Sequence, residues 1–262
     1  METTIQIEQK NGVAWVWMNR PDHHNAFDAT LVAELDAAFL ALNRDDDVRA
    51  VVLAGRGKSF SAGADLNWMR EQGKASIEQN RDDARKLGEM LYRLHQMDKP
   101  VVARVQGAAI GGGFGLAAAC TICIASETAV FATSEVRLGL APAVISPYVL
   151  RAIGARQAQR YFLTAERISA QRAFEIGLVH EVVAVDGLDT AVDNVLRMLD
   201  QGGPAAQQAS LALIRDFAHA TPTPSTLADT AERIARLRAS PEGREGLDAF
   251  LEKRKAAWVT EA

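Results

Sequence analysis

The stretch GAAIGGGFGLAAACTICIAS, Gly107 to Ser126, contains no charged residue and five glycines. It constrains the fold more than any other segment, because an uncharged run of small residues has to be buried in something. It is long enough for a membrane span, which needs about 20 apolar residues. Gly107-xxx-Gly111 and Gly111-xxx-Gly115 also match the small-residue spacing of packed membrane helices. Three features count against a span. Gly111-Gly112-Gly113 makes a poor helix interior, each glycine costing roughly 1 kcal/mol relative to alanine. No second span exists elsewhere in the sequence, and the preceding KPVVARVQ reads as a buried strand entered at Lys99-Pro100. A dinucleotide loop fails as well: G-x-G-x-x-G begun at Gly111 needs glycine at position 116, where Leu116 stands, and there is no Gly-Lys-Ser/Thr of a P-loop. What remains is a strand, a glycine turn and a small-residue helix from about Gly112 to Cys120. Backbone N–H groups at such a turn are unobstructed and sit at the positive end of the helix dipole, where they can hold a developing negative charge.

The chain has 262 residues, a net charge of −4, and 48% hydrophobic and 24% charged residues. That is the composition of a soluble globular protein, long enough to bury a core without covalent staples. No dense Lys/Arg face marks a nucleic-acid partner, although a local basic site for a small anion stays open. Cys120 and Cys123 are the only cysteines. They read as a redox pair, half a zinc site or two inert buried thiols. Their apolar neighbours, and the lack of a second Cys or His pair nearby, favour the last, so no metal is expected. Sparse cysteine fits a reducing compartment. METTIQIEQKNGVAWVWMNRP lacks the pattern of a signal peptide, so a cytoplasmic protein off the membrane is expected.

Local pattern gives the order of elements. Ile5–Gln9 and Val13–Met18 flank Asn11-Gly12, a strong hairpin signal. NRPDHHNAF is a loop. Helical spacing runs from Asp28, a candidate N-cap, to Asn43. Arg49–Gly55 is a buried strand, GRGKSFSAGADLNWM a loop entering a helix, and Ser76–Met97 a long charged helix. Val101–Val105, Ile122–Ala125 and Val130–Thr133 are strands. Arg156–Ile176 is helical, Leu178–Val183 a short strand, and the remainder mostly helical, interrupted by a linker over His219–Thr226. This alternation predicts an α/β architecture. Two small-residue turns follow buried strands, Ser61-Ala62-Gly63-Ala64-Asp65 and Gly111-Gly112-Gly113. Each can offer an N–H to one oxygen, as an oxyanion hole requires, although such turns more often serve packing.

Six segments, NRPDHHNAF, GRGKSFSAGADLNWM, KPVVARVQGAAIGGGFGLA, TSEVRLGLAPA, LTAERISAQRAFEIGLVHEVV and AFLEKRKAAW, occur in the order seen in the crotonase (enoyl-CoA hydratase/isomerase) superfamily, which the chain resembles over nearly its whole length. The resemblance implies a crotonase-like ββα spiral core over residues 1–200, carrying an acyl-CoA site. It implies a C-terminal helical region over residues 201–262 that covers CoA and builds a homotrimer or homohexamer. No separate cofactor is implied, since coenzyme A is part of the substrate. Ala64 and Gly112 correspond to the amides that hold the thioester oxygen. Ala62, Gly63, Ala64, Asp65 and Leu66 line the adenine and pantetheine path, and His24 and Ala26 lie near the CoA chain. Phe250 and Lys253 approach the adenine or phosphate end from a neighbouring subunit. Simpler alternatives are an exposed loop histidine for His24 and a solvated charge for Lys253. His23, His95, His180 and His219 receive no role.

The sequence departs from the family pattern at three places. Gly115 stands where hydratases carry a first glutamate, Thr121 replaces a common aspartate, and APAVISPY replaces a glycine-rich run. The second glutamate matches Glu135, with Arg137 as a candidate ion-pair partner; the absent side chain at Gly115 is expected to open room for water or a bulkier substrate. One carboxylate suits a Δ3-Δ2-enoyl-CoA isomerase, which only relocates a proton. SAGADLNWM, SEVRLGLAPAVISPYVLRAIG and RYFLTAER instead resemble bacterial methylglutaconyl-CoA hydratase-type proteins of leucine and related branched-chain breakdown, which implies a hydratase. An acyl-CoA-binding protein with little catalysis is the third alternative. Arg70, Arg81 and Arg85 are candidates for a distal substrate carboxylate, with surface solvation the simpler reading.

Overall fold

The structure, a computed structural model, describes residues 3–218 and 220–260. Strands β1 (Ile5–Lys10) and β2 (Val13–Met18) form the antiparallel hairpin, turning at Asn11 and Gly12 with φ of 50° and 75°. Helix α1 (Ala29–Arg44) starts where Asp28 accepts the Leu31 N–H at 2.8 Å. Strand β3 (Ala50–Gly55) is buried throughout and pairs parallel with β2. Helices α2 (Leu66–Gln72) and α3 (Ile77–His95) follow, the latter held by a Ser76/Gln79 capping box. Then come β4 (Val101–Val105), β5 (Ala108–Ile110), α4 (Gly112–Ala119), β6 (Ile122–Ser126) and β7 (Val130–Ala132). The chain continues through α5 (Ser146–Thr164), β8 (Ile168–Ser169), α6 (Ala170–Glu175), β9 (Glu181–Val183) and α7 (Leu188–Asp200). Three further helices, α8 (Pro204–Phe217), α9 (Pro224–Ala239) and α10 (Pro241–Glu252), end it.

Six strands form one sheet in the order β1-β2-β3-β4-β6-β9, parallel except for the hairpin. A smaller sheet, β5-β7-β8, stands beside it. The chain steps from one sheet to the other within a few residues, from β4 to β5 and again from β6 to β7, and each step is followed by a return through helix or turn. This is the repeating ββα course of an α/β spiral. Gly107 makes the first step possible: its φ is 58°, and a Cβ there would overlap the Lys58 carbonyl oxygen. One core cluster, including Phe27, Phe39, Phe60, Phe114 and Phe131, fills the interior. A second, built on Val52, Val102 and Ile124, is covered by α7 through Leu188 and Val192.

Three expectations need correction. Strand β5 is absent from the sequence reading because three small residues carry no periodicity. The helix expected over 156–176 is two helices and a strand: α5 begins ten residues earlier, bends at Gly154 (φ 72°, ψ 159°) and stops at Ala165, which is left-handed at φ 50°. The linker is shorter than expected, since Thr223 caps α9 with Thr226; His219 lies outside the described residues. Among the described residues no helix is long and apolar enough to cross a membrane, and the glycine stretch is divided among β5, α4 and β6.

Candidate active site

The turn after β3 reaches the smaller sheet through Ser61, whose N–H donates to Ala108 O at 2.9 Å and whose carbonyl accepts from Ile110 N at 2.9 Å. Ala64 then runs beside Phe27: Phe27 N–H donates to Gly63 O at 2.6 Å and Asp65 N–H to Phe27 O at 2.8 Å. These bonds use the neighbours' groups and leave the Ala64 N–H without an acceptor among the described residues. Gly112 is the first residue of α4, where an N–H has no partner inside the helix. It too has no acceptor among the described residues.

The two turns touch. Gly63 has a φ of 89°, and a Cβ on it would lie 2.8 Å from Ile110 O and 3.7 Å from Gly112 N. The glycines are demanded by packing as well. A Cβ on Gly112 would stand 2.5 Å from Phe27 Cε2, and one on Gly113 2.5 Å from Ser61 O. Phe27, which sequence reasoning passed over, is therefore the floor under Gly112.

Glu135 opens a short 3-10 turn, Glu135–Leu138, after β7. Its Oε1 lies 3.0 Å from where a Cβ on Gly111 would be, at the mouth of α4. Its Oε2 is buried and has no hydrogen-bond partner among the described residues. Burial pushes the carboxyl pKa up, opposed only by a hydrogen bond from its own backbone. Arg137 is exposed and, among the described residues, makes no ion pair with Glu135, contrary to expectation. A backbone turn of two residues carries the two side chains apart. The site thus brings together a desolvated carboxyl with one free lone-pair face and two unpaired amides: the parts needed to move a proton beside a carbonyl gaining negative charge.

Gly115 does not open room. A Cβ there would overlap Ile145 Cγ2 and stand 2.8 Å from Ile145 Cβ, and Ile145 is only 3% exposed. The space left by the missing glutamate is filled by an isoleucine from the third departure segment. No pairwise signal in one sequence links positions 115 and 145.

His24 and Ala26 border the Ala64 turn. His24 O accepts the Ala62 N–H at 2.9 Å, His24 Nδ1 lies 3.0 Å from Ser59 Oγ, and Ala26 O accepts from the Arg20 guanidinium. Asp65 caps α2 through Asn67 N–H at 2.9 Å and pairs with Arg20 at 3.3 Å, with its pKa lowered despite partial desolvation. Leu66 is exposed at the start of α2. Phe250 on α10 and Lys253 just after it are exposed, and α10 packs chiefly against α9, so this chain does not bring them to Glu135. Thr121 Oγ1 accepts the Val101 N–H at 3.1 Å, tying β6 to β4. Burial pushes the Cys120 thiol well up and the Cys123 thiol to about 12, which disfavours the thiolate at each. Arg85 is engaged with Glu89 at 2.6 Å, and Arg70 and Arg81 are exposed. His180 Nδ1 accepts the Cys123 N–H at 3.1 Å, and burial lowers the pKa of His95. Among the described residues no group of three or more His, Cys, Asp or Glu is placed to hold a metal.

A family profile described as Enoyl-CoA hydratase/isomerase matches residues 8–261. The chain is 34% identical over 259 residues to the crotonyl-CoA hydratase of Syntrophomonas wolfei, covering 98% of each. It superposes on the crystal structure of an enoyl-CoA hydratase from Shewanella pealeana with a TM-score of 0.94 and 44% identity, covering 97% of this chain and 96% of that one. It is also 34% identical over 198 residues to a 4-chlorobenzoyl coenzyme A dehalogenase of an Arthrobacter species, 74% of this chain and 71% of the other.

Proposed function

Given that the chain belongs to the enoyl-CoA hydratase/isomerase family, we propose that it is a hydratase adding water across the α,β double bond of a branched, 3-methylglutaconyl-type enoyl-CoA. The observation that carries this reading is the buried, unpartnered Oε2 of Glu135 beside two amides that have no other acceptor. The thioester oxygen lies between the Ala64 and Gly112 N–H groups. Water donates a proton to the Glu135 carboxylate as its oxygen bonds to C3, and the π electrons move to the thioester oxygen as an enolate. The same carboxyl then returns the proton to C2. One carboxyl suffices because it takes and gives back a single proton. Its raised pKa makes the carboxylate a stronger base toward the water than an ordinary glutamate. Removing one oxyanion donor typically costs ~10²–10³ in kcat.

The branched acyl group rests on the SEVRLGLAPAVISPYVLRAIG resemblance. Ala62, Gly63, Asp65, Leu66, His24 and Ala26 border the turn along which CoA would run. Leu247, Phe250 and Leu251 are 56%, 81% and 75% exposed on α10. That apolar face supports a trimer or hexamer in which α10 of one copy covers CoA of another. An isomerase is the second reading, favoured by the absence of any carboxylate at position 115. Mixing the protein with crotonyl-, 3-methylglutaconyl- and a 3-enoyl-CoA, and following the conjugated-thioester absorbance, separates them. Loss of absorbance with the first two supports hydration, and a gain with the third supports isomerisation. Binding with no change in any replaces both with a CoA-binding protein.

A further inference from the structure

Two departures from the family pattern, distant in sequence, meet in space. Gly115 lies one turn beyond Gly111 along α4, joined to it by the Gly115 N–H donating to Gly111 O at 3.0 Å. Glu135 Oε1 packs against Gly111, and the Ile145 side chain packs against Gly115. The carboxyl and the isoleucine therefore stand over neighbouring bare positions of the same helix, about 6 Å apart along it at 1.5 Å per residue. Ile145 is fixed there: its carbonyl starts α5, accepting the Tyr148 and Val149 N–H groups at 3.1 Å each.

We propose that Ile145 is a positioning residue, seated in the socket left by Gly115, that keeps water off the flank of Glu135 and makes the site a one-carboxyl site by construction. This rests on the reading of Glu135 as the proton carrier. Any side chain at position 115 has to displace Ile145 first, so a glutamate there cannot supply a second carboxylate while Ile145 remains. The charged and titratable surroundings of Glu135 are sparse. Arg137, on its own turn, is exposed and unpaired with it; Tyr148 is the first titratable residue of α5; α4 and β7 contribute none. Burial is thus what raises the Glu135 pKa, and Ile145, over the next turn of α4, is the apolar side chain placed to contribute to it.

The test compares Gly115→Ala, Ile145→Gly and the double variant in thermal melting, with Ile145→Ala and Glu135→Gln assayed for turnover. Gly115→Ala alone is expected to lower Tm by several degrees, and most of that loss to vanish when Ile145 is already glycine. Ile145→Ala is expected to move the acid limb of kcat/KM to lower pH, because water then solvates the Glu135 carboxylate. Gly115→Glu/Ile145→Gly is expected to turn over crotonyl-CoA at least tenfold faster than Gly115→Glu alone. Additive melting, or an unmoved acid limb in a folded and active Ile145→Ala protein, overturns the role of Ile145. Full turnover in Glu135→Gln instead overturns the assignment of Glu135, while the melting cycle still judges the socket.

Discussion

At the scale of the residue, Glu135 is stable only at a cost, and that cost has a sign. Burial raises its folded-state pKa above the ordinary 4.5, so the folded protein holds the proton more tightly than the unfolded chain does. Above the folded pKa the ionised carboxylate destabilises the fold; below about pH 4 both states are protonated and the penalty is gone. Glu135→Gln is therefore expected to melt higher than the parent at pH 8, with the gap closing as pH falls to 4. A gap that widens toward acid contradicts a desolvated carboxyl. Gly112→Ala puts a methyl into the Phe27 ring and disturbs one of the two free amides. It is expected to cost ~1–3 kcal/mol by overpacking and to reduce kcat by at least tenfold. Denaturant unfolding and steady-state kinetics measure the two effects separately.

At the scale of the element, the site depends on where strands hand over to helices. Asp28 caps α1 immediately after Phe27, so the cap also sets the ring beneath Gly112. Asp28→Ala is expected to cost ~1 kcal/mol, seen as a lower urea midpoint at unchanged slope. The hairpin, α1, β3, α3, β4 and α4 were legible because Asn-Gly, Asp28, Ser76 and long apolar runs act locally. The two small-residue turns were legible because glycine and alanine after a buried strand mark a tight bend, whereas Ala64 and Gly112 as donor amides came from the family resemblance alone. The boundaries of α5 were not legible. Gly154 sits inside a helical pattern without ending it, and Ala165 adopts a left-handed φ that only the tertiary setting enforces. The Ile145–Gly115 contact was hidden for the same reason: thirty positions separate two residues whose relation is purely steric, and the sequence alone suggested open room.

At the scale of the whole molecule, Arg49 and Arg215 tie the tail to the spiral, Arg215 on α8 by donating to Met97 O at 3.2 Å and Asp98 Oδ1 at 3.1 Å. Arg49 precedes β3 and donates to Asp200 Oδ1 at 2.8 Å, Gly202 O at 2.8 Å and Trp258 O at 2.6 Å. A charged hydrogen bond contributes ~1.5–3 kcal/mol, so this group joins the end of α7, the start of α8 and the residues after α10 to the spiral. Arg49→Met is expected to raise amide hydrogen exchange over residues 255–260 while leaving β3 and β4 protected; uniform exchange in both proteins contradicts that role. The chemistry rests on Glu135 carrying a proton beside the two turns. Its most direct test is the kcat of Glu135→Gln on crotonyl- and 3-methylglutaconyl-CoA, measured beside the dissociation constant of the same thioesters. A ~10²–10⁴-fold fall in kcat with binding nearly unchanged is expected, whereas full turnover, or a loss confined to binding, rules out that role for Glu135.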